Sequence, residues 1–194
     1  MGDYYSYKPL VTLPRPLVIV GGPGARVGKT CRAMNLLTAM PFAWVERRMA
    51  HALGGDAQGL ELQEGPAAFA AAAREVMREV FGRSSSHLVA APHHAVVDSE
   101  LFQWVRERAD VVVLRIDPQA ALGRVRADVQ AKGHKHLALR KGLPFEDGAV
   151  LASLQDIDLV LARVGDAVDV GDEPPLAVAE RILKARGLHP SGEG

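Results

Sequence analysis

A single cysteine, Cys31, occurs in 194 residues. That scarcity excludes an internal disulfide framework and any multi-cysteine metal site, and it makes a reducing, cytoplasmic setting the expectation. Excess charge is absent too, with Lys+Arg and Asp+Glu equal at 23 each. No whole-molecule field draws the chain to nucleic acid or to an anionic membrane, and it has no basic stripe interleaved with aromatics. No apolar run approaches the roughly 20 residues of a membrane helix. The opening "MGDYYSYKPLVTLPRP" lacks the apolar core of a signal peptide. Neither a nucleic-acid nor a membrane partner is therefore expected. What remains is a 48% hydrophobic, 24% charged composition, that of a globular chain able to bury a substantial core.

Behind a Pro-punctuated tail, residues 1–16, short apolar runs alternate with helical patterns. The runs "PLVIVGG", "PFAWV", "HLVAA", "VVVLRI" and "DAVDV" read as strands. Between them, "GKTCRAMNLLTAM", "ERRMAHAL", residues 64–81, "DSELFQWVRER" and "PQAALGRVRADVQA" read as helices, with Asp98 or Ser99 capping the fourth. "GGDAQG" reads as a break, and the alanines at 70–73 as a close-packed helix face. Residues 148–163 place Val150, Leu154, Ile157 and Leu161 on one helical face, and "PPLAVAERILKARG" is a last helix ending at Gly187. Strict alternation without repeat or linker predicts one α/β domain over 17–187, with a mainly parallel sheet of about five strands and a short C-terminal tail, 188–194. Ligands of such sheets bind at the carboxyl ends of the strands.

The first strand runs directly into "GGPGARVGKT" and then a helix. A strand, a Gly-rich turn and a helix opening on Gly-Lys-Thr is the layout of a phosphate-binding P-loop, G-x-x-x-x-G-K-S/T. Helix dipole and free amides make such an end an anion site. Lys29 is expected to reach the outer phosphates of ATP, and the Thr30 hydroxyl to hold Mg2+. Gly22, Gly24, Gly28, Lys29, Thr30 and Cys31 are the expected nucleotide-binding residues of the loop. The spacing is irregular, because counting back from Gly28 puts Pro23 where the first glycine belongs. A one-residue insertion with Gly22 as first glycine is one way to restore the geometry. Arg26 stands where many kinases of this size have glycine, either reaching over the phosphates or pointing to solvent.

The order of these motifs over residues 17–186 resembles shikimate kinase, a small P-loop kinase of the nucleoside-monophosphate-kinase type. "EGPAAFAAAARE" lies where that family has an acidic-Gly-Glu stretch and Phe-Arg-x-x-Glu, and "HLVAAPHHAVVD" where it has a strand and a triple-glycine loop. "VVVLRIDPQAALGRV" matches the strand and helix carrying an arginine against adenine, which makes Arg124 that residue. "VGDEPPLAVAERI" matches the adenine-side loop, with Pro174 at its proline, and "KGHKHLALRKGLP" falls at the mobile lid. The resemblance implies a three-layer P-loop NTPase fold, ATP and Mg2+ as cofactors, and phosphoryl transfer to a small hydroxylated acceptor. The departures fall on the acceptor side. The family's Asp-x-Asp reads Trp44 and Glu46, the arginine after Phe69 is Ala70, and the triple glycine is Pro92-His93-His94. The later substrate arginine has no counterpart in "LQDIDLVLARV". Without those arginines the fork that grips a carboxylate is gone, so an acceptor other than shikimate is expected.

Glu46 is expected either as a general base on the acceptor hydroxyl or as a first-turn helix carboxylate. His93 and His94 are either acceptor-loop contacts, to phosphate, metal or substrate, or plain loop residues. Lys132, His134, Lys135, His136, Arg140 and Lys141 form a basic run, either a solvated surface or a lid over the triphosphate, with Lys135 and Arg140 as its candidates. All three tyrosines, Tyr4, Tyr5 and Tyr7, sit in the first seven residues, where a protein partner or a second copy would dock if the tail is ordered. Two functions thus stand open at the level of sequence. One is a small-molecule kinase using Lys29 and Glu46; the other is a catalytically silent pseudokinase kept as a binding or assembly subunit.

Overall fold

The strand β1 (Leu17–Gly21) is buried along its whole length, as the middle strand of a doubly covered sheet must be. In this computed structural model, which describes residues 11–54, 57–83, 87–132, 146–164 and 166–188, it is followed by α1 (Val27–Thr38), β2 (Phe42–Trp44) and α2 (Val45–Ala52). Then come α3 (Ala57–Glu64), α4 (Pro66–Arg83), β3 (Leu88–Ala91), α5 (His94–Val97) and α6 (Ser99–Arg108). The order closes with β4 (Asp110–Arg115), α7 (Pro118–Lys132), α8 (Asp147–Leu161), β5 (Ala167–Asp169) and α9 (Pro175–Ala185). The strands form one sheet in the order β2-β3-β1-β4-β5, and every pairing is parallel.

Period-two alternation divides the core between the sheet's faces. Leu17, Ile19, Leu88, Ala90, Val112 and Leu114 point one way, to pack with α1, α7, α8 and α9. Val18 and Val89 point the other way, onto Met49 of α2, Phe69, Ala73 and Met77 of α4, and Leu101 and Val105 of α6. The result is the three-layer α/β arrangement expected from the alternation of strands and helices. Chain direction reverses its progress across the sheet at β1, since β1 leads outward to β2 while β3 leads back across it to β4. That switch point places the β1–α1 loop at the middle of the ligand-binding edge.

Local signals fix several boundaries. Pro66 opens α4 directly after Gly65, whose φ is 87°, a pairing of left-handed glycine and N-terminal proline that starts a helix sharply. The Asp98 carboxylate caps α6 by accepting the Leu101 amide at 2.7 Å. Two elements depart from the sequence pattern. The "GGDAQG" break is confined to its start, because Ala57 is buried against the α4 layer and α3 forms from there. The turn after β3 contains α5, whose Ala95 and Val96 are buried. Both short segments gain apolar burial that their own propensities do not reveal. Tyr4, Tyr5, Tyr7 and the lid candidates His134, Lys135, His136, Arg140 and Lys141 lie outside the described residues, as does the side chain of Lys132.

Candidate nucleotide and acceptor site

Between β1 and α1 the chain turns inside five residues, 22–26, and two of them are left-handed: Gly24 at φ 85° and Arg26 at φ 58°. Glycine takes that conformation freely, whereas for other residues it costs about 1–2 kcal/mol. The conformation therefore marks Arg26 as a position built for glycine. α1 begins one residue later, at Val27. Counted forward from Gly21, the P-loop pattern places Arg26 on its second glycine, Val27 on its lysine and Gly28 on its hydroxyl residue. The Gly28-Lys29-Thr30 triplet that draws the eye in the sequence lies further along, inside the first turn of the helix. Gly21 itself is fixed by close approach, since a Cβ there would meet the Leu114 carbonyl oxygen at 2.7 Å.

Some of the loop's amides are used within the loop and some are not. The Lys29 and Thr30 amides both donate to the Arg26 carbonyl at 3.0 Å, and the Ala25 amide to Gly22 O at 3.1 Å. The amides of Gly24, Arg26, Val27 and Gly28 donate to no described residue. They line the mouth of α1, where free N–H groups and the helix dipole favour phosphate.

These groups border a cavity of about 520 Å3 at the carboxyl ends of β1, β2 and β3. Gly22, Gly24, Gly28, Lys29, Glu46 and Arg124 all line it, as does Arg26. Arg26 and Lys29 are exposed side chains that pair with no described carboxylate. Arg124 is only 14% exposed and ties two loops together. Its guanidinium donates to Gly24 O at 3.2 Å and to Gly171 O, and lies 3.5 Å from the Asp172 carboxylate.

On the opposite wall, Trp44 ends β2 and its indole N–H donates to Glu46 Oε2 at 3.2 Å. The indole lies flat against the start of α1, so close that a Cβ at Gly28 would fall 2.5 Å from its ring carbon Cζ2. Arg47 covers the ring from another side, 4.4 Å from its centroid. Phe69 forms the floor, fully buried, with its ring centroid 4.5 Å from that of His94. Pro92, His93 and His94 complete that side, the two imidazoles 4.0 Å apart. Among the described residues no three His, Cys, Asp or Glu come together to hold a metal ion.

The remaining residues named from the sequence lie elsewhere. Thr30 is 1% exposed and Cys31 fully buried, both under the loop and away from the cavity wall. Pro174 is an exposed residue at the N-cap of α9, outside the cavity lining and two residues after Asp172, whose carboxylate Arg124 approaches. Asp128, which sequence reading passed over, does line the cavity. It follows Arg124 by one helical turn on α7, a spacing that puts the two on the same face.

Burial pushes the Cys31 thiol far above its ordinary range, because the thiolate has no solvation there. Cys31 is therefore expected to resist a water-soluble disulfide reagent in the native protein at pH 8 and to react stoichiometrically in denaturant. Rapid native labelling, read from the released chromophore, would contradict this placement.

No protein-family model matches the sequence, and no curated protein is significantly similar to it. Solved structures are. Shikimate kinase from Acinetobacter baumannii, in complex with shikimate, superposes with a TM-score of 0.73 at 19% identity, covering 89% of this chain and 93% of that one. Shikimate kinase from Bacteroides thetaiotaomicron gives 0.70 at 14% identity, covering 90% and 99%. A gluconokinase from Sinorhizobium meliloti gives 0.56 at 15%, covering 91% and 95%. The chain thus has a shikimate kinase-like P-loop kinase fold, with the five-stranded parallel sheet of that architecture.

Proposed function

We propose that the chain binds ATP with its phosphates at the mouth of α1 and transfers the terminal phosphoryl group to a small hydroxylated metabolite other than shikimate. The observation that carries this reading is the convergence of the Gly24, Arg26, Val27 and Gly28 amides, none of them bonded to a described residue, with the Arg26 and Lys29 side chains on one cavity, in a kinase-like fold. In the transfer, the acceptor oxygen forms a bond to the terminal phosphorus as the bond to the bridging oxygen breaks and ADP leaves. The hydroxyl proton passes to Glu46, whose Oε2 is held by Trp44 while Oε1 bonds to no described residue. Lys29 and Arg26 stabilise charge on the transferring oxygens. Adenine lies against Arg124 toward Pro174, next to the guanidinium that holds Gly24 and Gly171.

The acceptor wall argues for a neutral substrate. Among the described residues lining the cavity, the arginines are Arg26 and Arg124, both on the phosphate side. Trp44, Phe69 and Pro92 offer apolar and aromatic surface instead of a carboxylate fork. Mg2+ accompanies nucleotides in such folds, yet the start of α1 does not fit a protein-held ion. Gly28 has no hydroxyl, the Trp44 ring occupies the space beside it, and Thr30 faces the core.

Thermal unfolding with and without millimolar ATP tests the binding. At 100 times its dissociation constant a ligand adds about 2.7 kcal/mol, which is a rise of roughly 5–10 °C in Tm for a domain of this size. The rise is expected to vanish in Lys29→Ala. ADP release with neutral polyols and sugars, and none with shikimate, is the expected result of an acceptor screen. The packing of Trp44 on Gly28 favours a second reading, nucleotide binding without turnover. Stabilisation by ATP with no ADP release from any acceptor would select it.

A further inference from the structure

We infer that this chain neutralises nucleotide phosphates with its own Arg26 and Lys29 in place of a protein-held Mg2+, so that it binds ATP independently of the metal. The inference deepens the nucleotide reading above and rests on it. Its basis is a pair of replacements that fit each other. The loop's register leaves Gly28, without a side chain, where a hydroxyl would reach the metal. β2 supplies Trp44 at the facing position, and its ring lies where any side chain at 28 would begin. A serine at 28 and an indole at 44 cannot coexist there, since the clash at 2.5 Å involves the bulk of the ring. The ring is also pinned, by Glu46 on its N–H and Arg47 on its face, so it does not turn aside without losing both.

What the site lacks in metal ligands it has in cations. Arg26 adds a guanidinium at a position that the backbone reserves for glycine, and its planar fork suits phosphate oxygens. Lys29 projects from the first turn of α1 into the same cavity. Neither is neutralised by a described carboxylate. Glu46, the acid nearest the Trp44 ring, is committed to it through Oε2.

Titration calorimetry of the full chain with ATP, in Mg2+ and again in EDTA, decides the matter. The two affinities are expected to agree within about threefold. A loss of about tenfold or more in EDTA would overturn the inference while leaving the nucleotide reading standing, and absence of binding in both buffers would overturn both. Two variants sharpen the result. Arg26→Gly suits the left-handed backbone, so Tm should hold or rise while ATP affinity in EDTA falls about tenfold. Unchanged affinity in that variant would remove Arg26 from the role. Trp44→Ala combined with Gly28→Ser rebuilds the space and the hydroxyl, and is expected to gain ATP affinity on adding Mg2+; a folded double variant that remains indifferent to the ion would count against the inference.

Discussion

Phe69→Ala is expected to lower the unfolding free energy by about 3–5 kcal/mol, as large aromatic truncations in a closed core do. Phe69 is fully buried between α4 and the sheet, in the cluster that also holds Val89, Met77 and Leu101. On its core side the neighbours are strand and helix residues fixed by backbone pairing, which do not collapse into the void. For a domain of this size the loss corresponds to a fall in Tm of roughly 6–20 °C. The same ring supports His94 at 4.5 Å. The acceptor wall should therefore loosen, so that acceptor KM rises more than ATP affinity falls. Denaturant unfolding followed by tryptophan fluorescence measures the first effect. A change below about 1.5 kcal/mol would mean that the α4 layer repacks around the cavity.

Gly24→Val is expected to damage the loop and the fold together. The residue holds φ 85°, which a β-branched side chain adopts only under strain. A Cβ there would also press on Ala121, 3.1 Å from its Cα and 3.3 Å from its carbonyl oxygen, both backbone atoms of α7 that cannot swing away. The left-handed backbone contributes about 1–2 kcal/mol and overpacking about 1–3 kcal/mol, so a combined loss of roughly 2–5 kcal/mol is expected. The Arg124 bond to Gly24 O would shift with the backbone, and the ATP-induced rise in Tm should disappear. A Gly24→Val protein with wild-type stability and an undiminished ATP response would mean that the loop adopts another conformation.

Most of the fold was legible in the sequence because strands and helices here carry unmixed patterns. The β1 and β4 runs are β-branched and continuous, the mark of strands covered on both faces. Proline and glycine punctuate the joins, as at Gly65 and Pro66. α3 and α5 were not legible, since a short segment with weak periodicity forms only when a neighbouring layer buries Ala57, Ala95 and Val96. Of the residues read as nucleotide-binding, the structure brings Gly22, Gly24, Gly28, Lys29 and Arg124 to one cavity with Glu46, and sets Thr30, Cys31 and Pro174 outside it.

By itself, then, the sequence determined the alternation of strand and helix and the position of a Gly-rich turn after the first strand. These follow from residue type and spacing along one dimension. The register of the loop was decided in three dimensions. Which glycine opens the loop depends on where φ turns positive and where α1 takes its first turn, and "GGPGARVGKT" permits more than one choice. The meeting of Trp44 with Gly28 was likewise beyond the sequence. The two lie on different elements, and only the placement of β2 beyond β3 in the sheet lays an indole against Gly28 in the first turn of α1.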